Sequence, residues 1–577
     1  MKKIIFLFLL ITACKSEKST PNYDFNTVFE KSEGTETATY LEVINYYSQL
    51  AETYPQISME AIGETDSGEP LHMVILNPEK NFNFSEIRKN KRILLINNGI
   101  HPGESDGIDA TMMLFRDIVQ NKSETPQNTV LVTIPVYNVG GSLNRNATTR
   151  TNQNGPKEYG FRGNARNYDL NRDFIKSDTK NARAFAQIFH LVQPDVFIDN
   201  HVSNGADYQY TLTHLFTQHN KLSGALGNYL HTKMMPKLEK KLSEKNWDIT
   251  PYVNVFNQVP ESGFSQFMDS PRYSTGYTTL FNTLGMMVET HMLKPYKQRV
   301  EGTYELLKSM LEITEADGEN IKTLRTNIHQ KFIANKTYPL NWEVDTTKTS
   351  TLNFKGFEGN RIPSDITGKE RLKFDRSKPF TKEVTYQNYF KPKDSVTIPR
   401  AYILPKGWWN VIDLLKRNQV EITELANDTV IEVESYKIDT FETRKSPYEG
   451  HYQHYNTSVK SSTGKVTFRK GDYIINTNQR GLRYVLETLE PQAPDSFFNW
   501  NFFDTILQQK EHFSPYVWED KAKALLASNP KLQIAFNIKK SYNKDFANNW
   551  YAQLDWLHKQ SENYEKAHLQ YPVYRLK

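Results

Sequence analysis

The stretch RILLINNGIHPGESDGIDATMMLFRDIV, Arg92 to Val119, decides the fold. Its opening RILLIN is short, apolar and rich in branched side chains, as a strand buried on both faces must be. From Gly107 onward the apolar residues return at helical spacing, so the segment reads as a strand, a loop and a helix. His101 and Glu104 then fall on the loop, at the mouth of the strand. The scheme repeats outward. NTVLVTIPVYN (Asn128–Asn138) reads as a strand, DTKNARAFAQIFHLVQ (Asp178–Gln193) as a helix, and PDVFIDNHV (Pro194–Val202) and LGMMVETH (Leu284–His291) as strands. Upstream, YLEVINYYSQLAETYP from Tyr40 has helical spacing, and ISMEAIGETDSGEPLHMVIL from Ile57 reads as two strands around a glycine-containing turn. Apolar strands alternating with amphipathic helices predict an α/β fold, a mixed, mostly parallel sheet covered by helices. In such sheets ligands bind outside the carboxyl ends of the strands.

The chain is 577 residues long with 38% apolar residues, enough for a catalytic domain and at least one more region. Lys and Arg number 71 against 66 Asp and Glu, a formal charge of +5 that argues against a dedicated nucleic-acid binder. Residues 1–14, MKKIIFLFLLITAC, combine two lysines, an apolar run and small residues, the layout of a secretory signal. The single cysteine, Cys14, stands where ITAC resembles a bacterial lipobox, so export and a lipid on Cys14 are expected; a stray cysteine in an ordinary signal is the plainer reading. Without a second cysteine there is no internal disulfide. Residues 15–37 are polar and read as a tether, and residues 38–335 as the catalytic domain. Residues 345–577 lack long-range helical periodicity at first and read as a β-rich region with one helix, GWWNVIDLLKRN, followed by helical segments around NFFDTILQQKEHF and WEDKAKALLA.

Four polar sites end or follow predicted strands: His101 with Glu104, NYDLNRDF (Asn167–Phe174), His201 and Glu289. Two histidines and a carboxylate suit a catalytic zinc ion with one position left open. An H-x-x-E pair alone is weak evidence; its occurrence with the other three sites is much stronger.

On HPGE, RGNARNYDLNRDF, NHVS and VETH, in that order, the chain resembles the M14 family of zinc carboxypeptidases over about residues 38 to 305. The resemblance implies that His101, Glu104 and His201 bind one Zn2+ per chain and that Glu289 is the general base. It implies that Asn171 and Arg172 grip the C-terminal carboxylate of a peptide substrate, for which a planar guanidinium is suited; pairing of Arg172 with Asp169 or Asp173 is the structural alternative. For the arginine that stabilises the attacked carbonyl oxygen, Arg162 fits the spacing best, with Arg145, Arg150 and Arg166 also candidates. For the tyrosine that closes over substrate, Tyr277 is favoured over Tyr273.

The function expected is therefore that of an exported, lipid-anchored zinc metallocarboxypeptidase with a peptide partner bearing a free C-terminus, attached to the membrane through its N-terminal lipid. An amidase acting on peptidoglycan stem peptides is the alternative within catalysis. A non-catalytic surface binding protein is the alternative outside it. His451 and His454 in HYQHY have no evident third ligand, and His291 reads as structural. The aromatics of DSFFNWNFFD, with Trp408 and Trp409, read as core rather than a sugar platform.

Overall fold

A computed structural model describes residues 23–577; the expected signal sequence and Cys14 lie outside the described residues. The catalytic part is built on strands β1 (Ile57–Glu64), β2 (Pro70–Leu76), β3 (Arg92–Asn97), β4 (Thr129–Ile134), β5 (Val196–Ser203), β6 (Leu212–Phe216), β7 (Ile249–Pro251), β8 (Phe264–Ser265) and β9 (Leu284–His291). All but β8 form one eight-stranded sheet in the order β1-β2-β4-β3-β5-β9-β6-β7. The neighbours β4, β3, β5 and β9 run parallel, whereas β1, β2 and β6 bring antiparallel pairings. The mixed, mostly parallel sheet is the one expected.

Every residue of β3, β4 and β5 is buried. That is why these strands read as continuous apolar runs rather than as alternations. From β3 the chain steps to β4 on one side, through helix Asp106–Val119, and then back across to β5 through helix Lys180–Val192. Right-handed crossovers in opposite directions put those helices on opposite faces of the sheet. The carboxyl ends of β3 and β5 flank the point where the direction reverses, the place where open α/β sheets form their crevice. Gly107, in the first turn after that crevice, lets helix Asp106–Val119 lie against β5. A Cβ there would come within 2.3 Å of Asn200 Cβ.

Residues 23–37 correct the reading of a free tether. Phe25 and Phe29 are buried, Thr27 and Glu30 form a capping box, and Arg116 donates to Phe25 O at 3.0 Å and to Glu30 at 2.6 Å. The polar composition hid two aromatic anchors spaced to pack on the catalytic domain.

The C-terminal region holds β10 (Thr337–Val344), β11 (Ser350–Pro363), β12 (Glu370–Gln387), β13 (Phe390–Thr397), β14 (Ala401–Leu404), β15 (Thr423–Glu424), β16 (Thr429–Thr443), β17 (His454–Phe468), β18 (Tyr473–Asn476) and β19 (Tyr574–Leu576). β10 pairs with β13, β11 and β12 form a long hairpin joined by β8, and the rest form a six-stranded sheet. GWWNVIDLLKRN supplies helix Trp409–Arg417 and WEDKAKALLA lies in helix Pro515–Ser528, as expected. NFFDTILQQKEHF is not a helix: only a 3-10 turn, Asp504–Leu507, forms, because its aromatic Phe503 is pulled into the core. Phe497, Phe498 and Trp500 are likewise buried and Trp408 packs against the core, but Trp409 is 74% exposed and corrects its reading as core.

The C-terminal region is not a detached accessory. One apolar core runs from the main sheet into the six-stranded sheet and its helices. Arg483, itself buried, donates to Thr279 O, Asn282 Oδ1 and Lys221 O of the catalytic part. Among the described residues no helix is long and apolar enough to cross a membrane.

Candidate active site

The loop after β3 turns tightly, with Glu104 N–H donating to His101 O at 2.8 Å, and this brings both side chains to one side. β5 presents His201 beside them. One ligand atom from each of His101, Glu104 and His201 lies within 4.8 Å of the others, and all three residues are only 3% exposed. The Nδ1 atoms of His101 and His201 each lie 3.2 Å from an oxygen of Glu104. Their Nε2 atoms face carboxylates, His101 toward Asp169 at 2.9 Å and His201 toward Asp199 at 3.0 Å. A carboxylate on the outer nitrogen fixes the ring so that Nδ1 offers its lone pair inward, the arrangement metal-ligating histidines ordinarily have. The donor set therefore fits a zinc ion, and these are the residues that would hold it.

Without a cation the electrostatics show the same polarity. Burial opposes ionisation of Glu104, but His101, Arg150 and His201 hold its carboxyl well below the usual range. Burial likewise opposes protonation of His201, yet the Asp199 carboxylate and Glu104 hold that imidazole well above its ordinary value. Arg150 donates to Glu104 Oε1 at 2.9 Å, and Arg162 Nη1 lies 3.5 Å from the same oxygen and 3.3 Å from His101 Nδ1.

A cavity of about 410 Å³ opens over this cluster. Glu289 lies directly across from His201 in the β5–β9 register. Among the described residues nothing donates a hydrogen bond to its carboxylate, and burial pushes that group up to about 7 despite the nearby His201. Asn171 lines the cavity, its Oδ1 accepting from Ser274 N–H at 3.1 Å. Arg172 also lines it, with its guanidinium over the Tyr273 ring at 4.5 Å and 3.8 Å from Asp169. The short helical turn Leu170–Arg172 is capped by Asp169, whose Oδ1 accepts from Asn171 N–H at 2.9 Å. Leu215, Met287, Phe267 and Tyr252 add apolar and aromatic wall.

The structure brings together His101, Glu104, His201, Glu289, Arg162, Asn171 and Arg172, all on the cavity. It corrects the tyrosine. Tyr277 is wholly buried in the core, its hydroxyl donating to Asn418 Oδ1 at 2.5 Å, because helix Ser274–Thr279 turns that side chain away from the cavity; Tyr273 lines it instead. Of the arginine candidates, Arg145 is tied to Thr37 O, Ala38 O and Glu158 O, and Arg166 lies over Tyr168, whereas Arg150 joins Arg162 beside Glu104. His451 and His454 face Asp178 and Asp504 separately and form no metal pair. His291 pairs with Asp207 at 3.0 Å, the structural role expected.

Sequence reasoning missed Asp199 and gave Asp169 no role in holding a ligand. Asp199 had a signal, since it stands two residues before His201 in a strand and so shares its face. Asp169 had none that separated it from the acidic residues around it.

A buried two-histidine, one-carboxylate group with an unpaired carboxylate across a cavity is an arrangement that metal-dependent hydrolases use. Residues 43–195 match the family model for zinc carboxypeptidases, peptidase M14. Among curated proteins it is 21% identical over 425 residues to carboxypeptidase 2 of Trichophyton rubrum, covering 69% of this chain and 72% of the relative. It is 22% identical, with the same coverage, to carboxypeptidase 2 of Trichophyton tonsurans. Among solved structures, carboxypeptidase A of Helicoverpa armigera aligns with a TM-score of 0.38 and 14% identity, covering 53% of this chain and 78% of that one.

Proposed function

We propose that the protein removes C-terminal residues from peptides. The observation that carries this reading is Arg172, held by Tyr273 and facing the same cavity as Glu289 and the His101–Glu104–His201 group. Its guanidinium and the amide of Asn171 take the terminal carboxylate of the substrate, which sets the scissile carbonyl beside the metal ligands. His101, Glu104 and His201 would hold a zinc ion, which would supply Lewis acidity and lower the pKa of a bound water toward about 7. Glu289, facing the same cavity with no described group donating to its carboxylate, takes the proton of the attacking water and returns it to the departing amine. Arg162 faces the carbonyl oxygen as negative charge grows on it. Leu215, Met287 and Phe267 favour an apolar C-terminal side chain. The curated relatives, named carboxypeptidases, agree with this reading.

The site of action is proposed to be the cell envelope, with the chain exported and lipidated on Cys14, on the strength of residues 1–14. Cys14→Ser should abolish incorporation of a labelled fatty acid; undiminished labelling would contradict this. The activity is tested with blocked dipeptides bearing free or amidated C-termini, with and without a zinc chelator. Chelator-sensitive release from the free acids alone, fastest with apolar last residues, is expected. Equal release from the amides, or none from either, would overturn the exopeptidase reading.

A further inference from the structure

The C-terminal region reaches the segment that carries Asn171 and Arg172 through the connection between β16 and β17. β16 and β17 are joined by an extended connection with a tight turn, Tyr448–His451, at its end. Tyr448 N–H donates to His451 O at 2.7 Å and His451 N–H to Tyr448 O at 3.1 Å. The two central residues, Glu449 and Gly450, both have positive φ, 49° and 80°, the turn that glycine makes accessible. Gly450 is needed for a second reason. A Cβ there would sit 2.6 Å from Tyr168 Oη, so the turn lies directly on the segment that carries Asn171 and Arg172.

At its tip the Glu449 carboxylate accepts the N–H of Asp169 at 2.9 Å. Asp169 is the residue whose side chain holds His101 Nε2 at 2.9 Å, Arg162 Nη2 at 2.8 Å and the Asn171 N–H. The turn is fixed on both sides. His451 Nε2 lies 2.7 Å from Asp178, which with Asp173 binds the buried Lys176, and Tyr448 stacks on Trp500. Trp500 also lies beneath the guanidinium of Arg272, which is paired with Asp495.

We infer that Glu449 is a positioning residue by which the C-terminal region sets the metal affinity of the catalytic site, acting through Asp169 on His101. The chemistry is simple. A backbone N–H that donates to a fixed carboxylate holds Asp169 in one place, and an aspartate that cannot shift keeps the His101 ring aimed inward. Groups behind metal-ligating histidines change affinity by about 10–100-fold when removed. Glu449 stands one step further back.

The inference rests on the metal site assigned to His101, so zinc affinity is measured by chelator competition on the full-length chain, with His101→Ala as the control for that assignment. Glu449→Ala should weaken zinc binding about 3–10-fold, whereas Glu449→Gln, which keeps an acceptor oxygen, should stay within about twofold of wild type. Gly450→Ala displaces the tip while leaving the carboxylate and should reproduce the weakening; it serves where Glu449→Ala fails to fold. Wild-type affinity in both Glu449→Ala and Gly450→Ala, or equal losses in Glu449→Ala and Glu449→Gln, would overturn the role of Glu449. His101→Ala binding zinc as tightly as wild type would instead overturn the metal site itself, and the positioning role with it.

Discussion

His201 illustrates how much of the chemistry resides in single residues. In the metal-free protein Asp199 and Glu104 favour its protonated form, so zinc must displace a proton from it. Zinc uptake should therefore release about one proton near neutrality, and affinity should rise with pH until His201 has titrated; calorimetry in buffers of different ionisation enthalpy reads this directly. No proton release would mean that zinc does not displace a proton from His201. Glu289 belongs to the same scale. Glu289→Gln should lower kcat by at least about 100-fold with zinc affinity retained, the usual magnitude for loss of a general base; an active variant would contradict the base assignment. Most of this was legible. His101, Glu104, His201 and Glu289 each carry their chemistry in the side chain and end an apolar strand, so position and type agree. Tyr277 and Tyr273 do not, because both are aromatic residues four apart around the start of one helix, and only its orientation decides which meets the cavity.

Among the elements, the strands written in unbroken apolar residues were readable and the short ones were not. Leu212–Phe216 and Ile249–Pro251 complete the sheet edge beyond β9 yet are brief and carry His214, Thr213 and Thr250, so they lack any strand period. Helix Ser274–Thr279 yields a separation of roles. Tyr277→Phe removes a buried hydrogen bond to Asn418 and should cost about 1–3 kcal/mol of stability with kcat unchanged. Tyr273→Ala should instead raise KM for free-acid substrates, since it removes the ring beneath Arg172. Helix Asp106–Val119 carries a pH dependence. Burial pushes the Asp109 carboxyl from 3.8 up to about 7, against hydrogen bonds from Thr37 and Tyr296. Because its folded-state pKa is raised, its contribution to stability is fully present below about pH 3.8 and is lost as pH rises through about 7. Asp109→Asn should flatten denaturation midpoints over that range; an unchanged slope would remove Asp109 as the source.

For the molecule as a whole, the boundary near residue 340 marks a change of texture and not of stability. The core is continuous across it, Arg483 crosses it, and β8 ties the loop that supplies Phe256, Phe267 and Tyr273 to the β11–β12 hairpin. Sequence showed the change because local periodicity differs on the two sides. It could not show the joining, which rests on contacts between residues 100 to 300 positions apart. Residues 23–577 should accordingly unfold in a single calorimetric transition, at least through the main core; two well-separated transitions for the catalytic part and the six-stranded sheet would contradict the shared core. The most direct test of the central claim is anomalous diffraction at the zinc edge from zinc-loaded crystals. The account predicts one peak about 2.0–2.2 Å from His101 Nδ1, His201 Nδ1 and a Glu104 oxygen, facing Glu289. A peak on the Nε2 atoms, or at any other group of side chains, would contradict it.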